Sequence, residues 1–92
     1  MNSYETIFIV DSDLEEEKIV EITDKIKAVI ETGGEVESFD QWGKRRLSYL
    51  VKDKAEGLYI LSNFKAQSEF PKELERIYKI TDGILKYIII KK

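Results

Sequence analysis

Three stretches of this chain, Ile7-Phe8-Ile9-Val10, Leu58-Tyr59-Ile60-Leu61 and Tyr87-Ile88-Ile89-Ile90, are apolar at successive positions. Side chains of a strand point to alternate faces, so an unbroken apolar run implies a strand covered on both sides. Between these runs the apolar period changes. Ile19, Ile22, Ile26, Val29 and Ile30 recur at helical spacing, as do Leu74, Ile77 and Tyr78. Strand is expected from Tyr4 to Val10, from Leu58 to Lys65 and from Leu85 to Ile90. A fourth extended stretch, Glu35 to Lys52, must contain a bulge or kink, because Val36, Phe39 and Trp42 cannot share a face in a regular strand.

The punctuation agrees with this division. Ser12 with Glu15, or Asp13 with Glu16, has capping-box spacing, and Glu15, Glu16 and Glu17 suit the positive end of a helix dipole. Gly33-Gly34 is expected to end that helix through a left-handed cap. Lys52 to Gly57 reads as a polar hairpin loop. Ser68 can cap the second helix, with Pro71 in its first turn and Ile80 closing its apolar stripe. Thr81-Asp82-Gly83 stops it. The order strand-helix-strand-strand-helix-strand is the ferredoxin-like split pattern: an α+β fold with a four-stranded antiparallel sheet and two helices on one face. The 92 residues are expected to form a single domain, residues 1–92, with no linker or low-complexity segment.

Two helices cover one face of such a sheet, and no element remains for the other. An apolar patch on the open face is therefore expected, of the size that marks a partner site. The alternative is that the Tyr59 and Tyr87 rings cover the smaller residues there.

Composition removes most chemistry. There is no Cys, hence no disulfide framework or thiolate metal site, and no His, the commonest general base and metal ligand. Nucleophile-elbow, P-loop and zinc-ligand spacings are all lacking. Glu15-Glu16-Glu17 reads as a solvated helix start. Neither an enzyme nor a cofactor is expected. No run approaches membrane-spanning length and no signal peptide is evident, so a cytoplasmic protein without membrane contact is expected.

Cations are unevenly placed in a chain of net charge −3. The first helix is mostly acidic, whereas Lys44-Arg45-Arg46 lie together beside Trp42-Gly43. A bulge at Gly43 would fan these cations around a sheet edge, where guanidinium forks suit phosphate oxygens. A charged edge strand that blocks unwanted pairing is the competing explanation. Base stacking on the sheet face, as in RNA-recognition motifs, is disfavoured. In Glu56-Gly57-Leu58-Tyr59 a carboxylate stands where that motif has a cation, and Leu58 where it has an aromatic ring.

The order Trp42-Gly43-Lys44-Arg45-Arg46-Leu47-Ser48-Tyr49, then Gly57-Leu58-Tyr59, resembles the bacterial small-subunit ribosomal protein six family. Tyr4-Glu5-Thr6 and the closing Leu85-Lys86-Tyr87-Ile88-Ile89-Ile90-Lys91 extend the likeness nearly end to end. The resemblance implies a non-catalytic component of the small ribosomal subunit. Such a component binds the central domain, or platform, of 16S ribosomal RNA together with small-subunit ribosomal protein eighteen, its heterodimer partner. Carried over by position, Lys44, Arg45 and Arg46 lie at the RNA and partner side, with Tyr4, Tyr49, Lys86, Tyr87 and Lys91 as further candidates. Trp42 is expected to pack against the kink. Some family members carry a basic residue beside the initial Met or a C-terminal tail. With Met1-Asn2-Ser3 and a last residue Lys92, neither contribution is expected here. A self-associating regulatory module of the same fold is the alternative.

Overall fold

A computed structural model describes residues 1–92. The elements are β1 (Asn2–Val10), α1 (Glu16–Gly33), β2 (Gly34–Val51), β3 (Lys54–Ala66), α2 (Phe70–Ile80) and β4 (Ile84–Lys91). The strands form one antiparallel sheet in the order β2-β3-β1-β4. This is the split ferredoxin-like arrangement, with β2 and β4 at opposite edges.

The phase of β1 decides which residues enter the core. Tyr4, Thr6, Phe8 and Val10 pair with Phe64, Ser62, Ile60 and Leu58 of β3. Against this face pack Ile22, Ile26 and Ile30 of α1 and Phe70, Leu74 and Tyr78 of α2. Thr6 is tolerated there because its hydrogen bonds are made: Oγ1 donates to the Ile88 carbonyl at 2.8 Å and lies 2.9 Å from the Tyr78 hydroxyl. Burial pushes the Tyr78 phenol far above its usual range, so it stays protonated and available as a donor.

Local signals were overridden at several element ends. Neither capping box forms: Glu15 is the N-cap of α1 and makes no side-chain cap. Asp11 and Asp13 instead hold Lys54 of β3, whose Nζ lies 2.9 Å from Asp13 Oδ2 and 3.6 Å from Asp11 Oδ2. Gly34 is extended, with φ −173°, so the expected left-handed cap is absent. Glycine is needed at 33 and 34 for close approach, since a Cβ would run into the Phe70 ring at the first and the Lys65 carbonyl at the second. Ser68 does not cap α2; Glu69 is the N-cap, and Ser68 Oγ donates to the Glu69 carboxylate. Ile80 is exposed rather than closing the apolar stripe. The polar loop between β2 and β3 shrinks to Lys52-Asp53, both at positive φ (50° and 65°), as a two-residue hairpin turn requires.

Candidate functional site

The sheet register defines the face away from the helices. Across the four strands, Gly43, Tyr59, Ile9 and Lys86 form one row, and Asp40, Leu61, Ile7 and Ile88 form the next. A third row is Ser38, Asn63, Glu5 and Ile90. The centre is apolar and the ends are polar. Ile88 and Ile90 remain 45% and 48% exposed, on a strand whose outer edge has no neighbour.

β2 reaches this face through three register shifts. The first, between Val36 and Ser38, places Val36 opposite Phe64 and Phe39 opposite Ser62, so both apolar side chains meet the core. The second leaves Trp42 as the extra residue beside Gly43, whose φ of 87° favours glycine although nothing crowds its Cβ position. Trp42 is 46% exposed and does not pack into the kink; the Arg45 guanidinium lies 5.8 Å from its ring centre. Beyond this bulge Lys44, Arg45 and Arg46 pair with Leu58, Gly57 and Glu56. Their side chains therefore alternate around an edge strand, as a fan. Lys44 reaches Glu56 at 3.9 Å, an exposed pair of small worth, while Arg45 and Arg46 make no ion pair within the chain.

At the third shift, Leu47 to Leu50 lie opposite Ala55 alone. This excursion turns back over the open face. Leu47, Tyr49 and Val51 join Ile7, Ile9, Tyr59 and Ile88 around a groove of about 160 Å³. The Tyr49 hydroxyl accepts a hydrogen bond from Lys86 Nζ, which also lies 5.0 Å from the Tyr49 ring centre. A residue of one edge strand thus touches the other edge. Lys52 Nζ donates to the Ile84 carbonyl at 3.2 Å, and Lys54 is tied to Asp11 and Asp13. The Lys54 hydrogen bond holds Asp13 below the usual carboxylate range, and Asp13 in turn raises Lys54. The open face is therefore partly covered by the protein's own hairpin, which the sequence reading did not foresee. The alternation Leu47, Tyr49, Val51 next to a possible tight turn was the available signal.

The candidate residues divide accordingly. Lys44, Arg45 and Arg46 stand together on the hairpin edge, and Tyr49 and Lys86 meet across the groove. Tyr4 is buried, 5% exposed and stacked on Phe64 at 5.5 Å, so its ring has no surface to offer. Tyr87 lies on the helical side, stacked on Tyr78 at 4.9 Å, and does not cover the open face. Lys91 is exposed but pairs with Tyr4, at the opposite end of the sheet from the arginines. The acidic side chains of α1, including Glu17, Glu21 and Asp24, are exposed on the far layer.

The family model described as ribosomal protein S6 matches residues 3–91. This chain belongs to the ribosomal protein S6 family. It is 51% identical over 92 residues to the small ribosomal subunit protein bS6 of Thermoanaerobacter pseudethanolicus, covering 99% of this chain and 97% of that one. Identity to the bS6 of Clostridium perfringens is 49%, with the same coverage. The crystal structure of 30S ribosomal protein S6 from Thermotoga maritima superposes with a TM-score of 0.93 at 26% identity, covering 99% of this chain and 87% of that one. The family is one of structural proteins of the small ribosomal subunit and not a family of enzymes. RNA binding and a part in translation follow from that ribosomal role.

Proposed function

We propose that this chain acts in the cytoplasm as one domain that binds the platform of 16S ribosomal RNA jointly with small-subunit ribosomal protein eighteen. The observation that carries the reading is the adjacency of two unlike surfaces. Arg45 and Arg46 sit unpaired on the β2 edge, immediately before a segment that walls an apolar groove. The guanidinium pair offers planar donors to phosphate oxygens. The groove and the flanking Ile88 and Ile90 offer apolar area to a protein. Each is small. Three cations release few counterions, and the groove alone falls short of the buried area of a stable protein interface. Docking a cationic partner on the open face hides the apolar surface and joins two basic surfaces, so the RNA meets a wider cationic platform. The acidic α1 layer, on the other side of the sheet, stays in solvent.

The test is RNA binding by the purified protein, with and without protein eighteen, across a salt series. Tight, salt-sensitive binding only when both proteins are present supports joint recognition. Equal binding by this chain alone contradicts it. A dimer of this chain that salt does not weaken, with no RNA binding, would favour the self-associating module instead.

A further inference from the structure

Arg45-Arg46-Leu47-Ser48-Tyr49 places two guanidinium groups three and two residues before a hydroxyl, with an aromatic ring after it. We propose that Ser48 is a phosphoacceptor for an arginine-directed serine kinase, and that its phosphorylation offsets most of the positive charge on the β2 edge. A kinase takes its substrate as an extended segment, with the hydroxyl aimed at the γ-phosphorus of a nucleoside triphosphate, and charge patterns beside the hydroxyl set its choice. A pair of upstream arginines suits carboxylates in the kinase cleft, because each fork can be held bidentately.

The fold leaves this segment open to such capture. Arg46 pairs with Glu56 and Val51 with Lys54, so Ser48 has no register partner on β3. Its side chain is exposed, and neither arginine is held by a carboxylate. Other hydroxyls are worse placed. Ser62 is buried and donates to the Ser38 carbonyl, while Ser38 Oγ receives Asn63. Thr6, Thr23 and Thr81 are buried. Exposed Ser68 follows Lys65-Ala66-Gln67, without an arginine pair, and donates to Glu69.

The step balances simply. The Ser48 Oγ–phosphorus bond forms as the bond from the γ-phosphorus to the β,γ-bridging oxygen breaks. The diphosphate leaves with the electron pair, and the hydroxyl proton passes to the kinase's base. A phosphoserine carries about −1.5 to −2 charges at neutral pH. Arg46 precedes Ser48 by two residues and is held by no carboxylate, so its guanidinium can close on the new phosphate, and Ser48 itself lines the groove with Leu47 and Tyr49. One arginine is then spent within the chain, and the charge of the Lys44 to Arg46 cluster falls from +3 to about +1. A dianion on the wall of the apolar groove also raises the cost of burying that wall under a partner.

The switch rests on the joint-recognition reading; the acceptor assignment does not. The full chain recovered from its own cells, and the purified chain treated with an arginine-directed serine kinase and ATP, are mapped by fragment mass spectrometry. The expected result is phosphate on Ser48 in both, lost in Ser48→Ala and reduced at least tenfold in the Arg45→Ala, Arg46→Ala double variant. Phosphate only on other hydroxyls, or none in either sample, overturns the assignment. RNA binding with protein eighteen is then compared for the two forms. Phosphorylation is expected to weaken it on the order of tenfold and to make the salt slope less negative by about two. Unchanged affinity and slope overturn the switch. If the unmodified pair binds no RNA, joint recognition fails and the switch with it, while the mapped phosphate still supports the acceptor assignment.

Discussion

The two faces of the sheet are built from the same strands one residue out of phase, yet they are held in different ways. On the closed face Phe8, Ile60 and Phe64 are fully or nearly fully buried under α1 and α2, and the buried hydroxyls are satisfied, Thr6 by Tyr78 and Ile88 and Ser62 by the Ser38 carbonyl. On the open face Ile7, Ile9, Tyr59 and Ile88 line a groove walled by a hairpin that lysines hold: Lys86 on Tyr49, Lys52 on a carbonyl, Lys54 on two aspartates. Packing closes one side; polar contacts of lysines tether the other. The difference teaches that apolar strands need not all serve the fold. One set stabilises the monomer, and the other is the face proposed for the partner.

That contrast can be broken from the core outward. Phe8→Ala should cost about 3–5 kcal/mol in urea unfolding, the range for an aromatic ring removed from a packed core. Ile88→Ser, on the same sheet but the other face, should change stability by no more than about 0.5 kcal/mol while lowering affinity for protein eighteen at least tenfold. Similar destabilisation by both would end the distinction between the faces. Next in size, Arg45→Ala with Arg46→Ala should leave the unfolding midpoint in place. Their effect belongs in the RNA titration, where the slope of log affinity against log salt should become less negative by about two. An unchanged slope would remove the arginines from the RNA surface.

The smallest effect concerns the hairpin tether. Asp13 has its folded pKa lowered by the Lys54 hydrogen bond, so its contribution is present above the ordinary aspartate pKa of about 3.9 and is lost as pH falls through the lower folded value. Lys54 is raised, so its share persists below about pH 10.4 and is lost as pH rises through the higher folded value. Between those limits Asp13→Asn should slightly speed amide exchange around Lys52 to Glu56, an effect that added salt diminishes. Acceleration spread over the whole chain would mean that the tether supports the core as well.

The fold was legible because it rests on periodicity. Three unbroken apolar runs and two helical stripes leave few arrangements, and the Lys44–Arg46 cluster stands out in an acidic chain. What could not be read was phase and reach. Ile7 to Val10 are alike in polarity, so nothing local says that even-numbered residues meet the helices, and a likeness by position does not say that the Tyr4 and Tyr87 rings pack on the helical side. The core Thr6 makes sense only once Tyr78 and Ile88 surround it. The Asp13–Glu16 capping box failed for a similar reason, since Lys54, forty-one residues from Asp13, takes the Asp13 carboxylate. The four-residue excursion opposite Ala55 is a matter of backbone register, and side-chain pattern alone does not encode it.

The isoleucines offer the most direct test, because they populate both faces. Methyl NMR spectra of the isoleucine-labelled protein, recorded while protein eighteen is added, report each face separately. Shifts confined to Ile7, Ile9, Ile88 and Ile90, with Ile22, Ile26 and Ile30 unmoved, are the predicted result. Shifts centred on the α1 isoleucines, with Ile88 unaffected, would place the partner on the helical layer and contradict the division of the two faces.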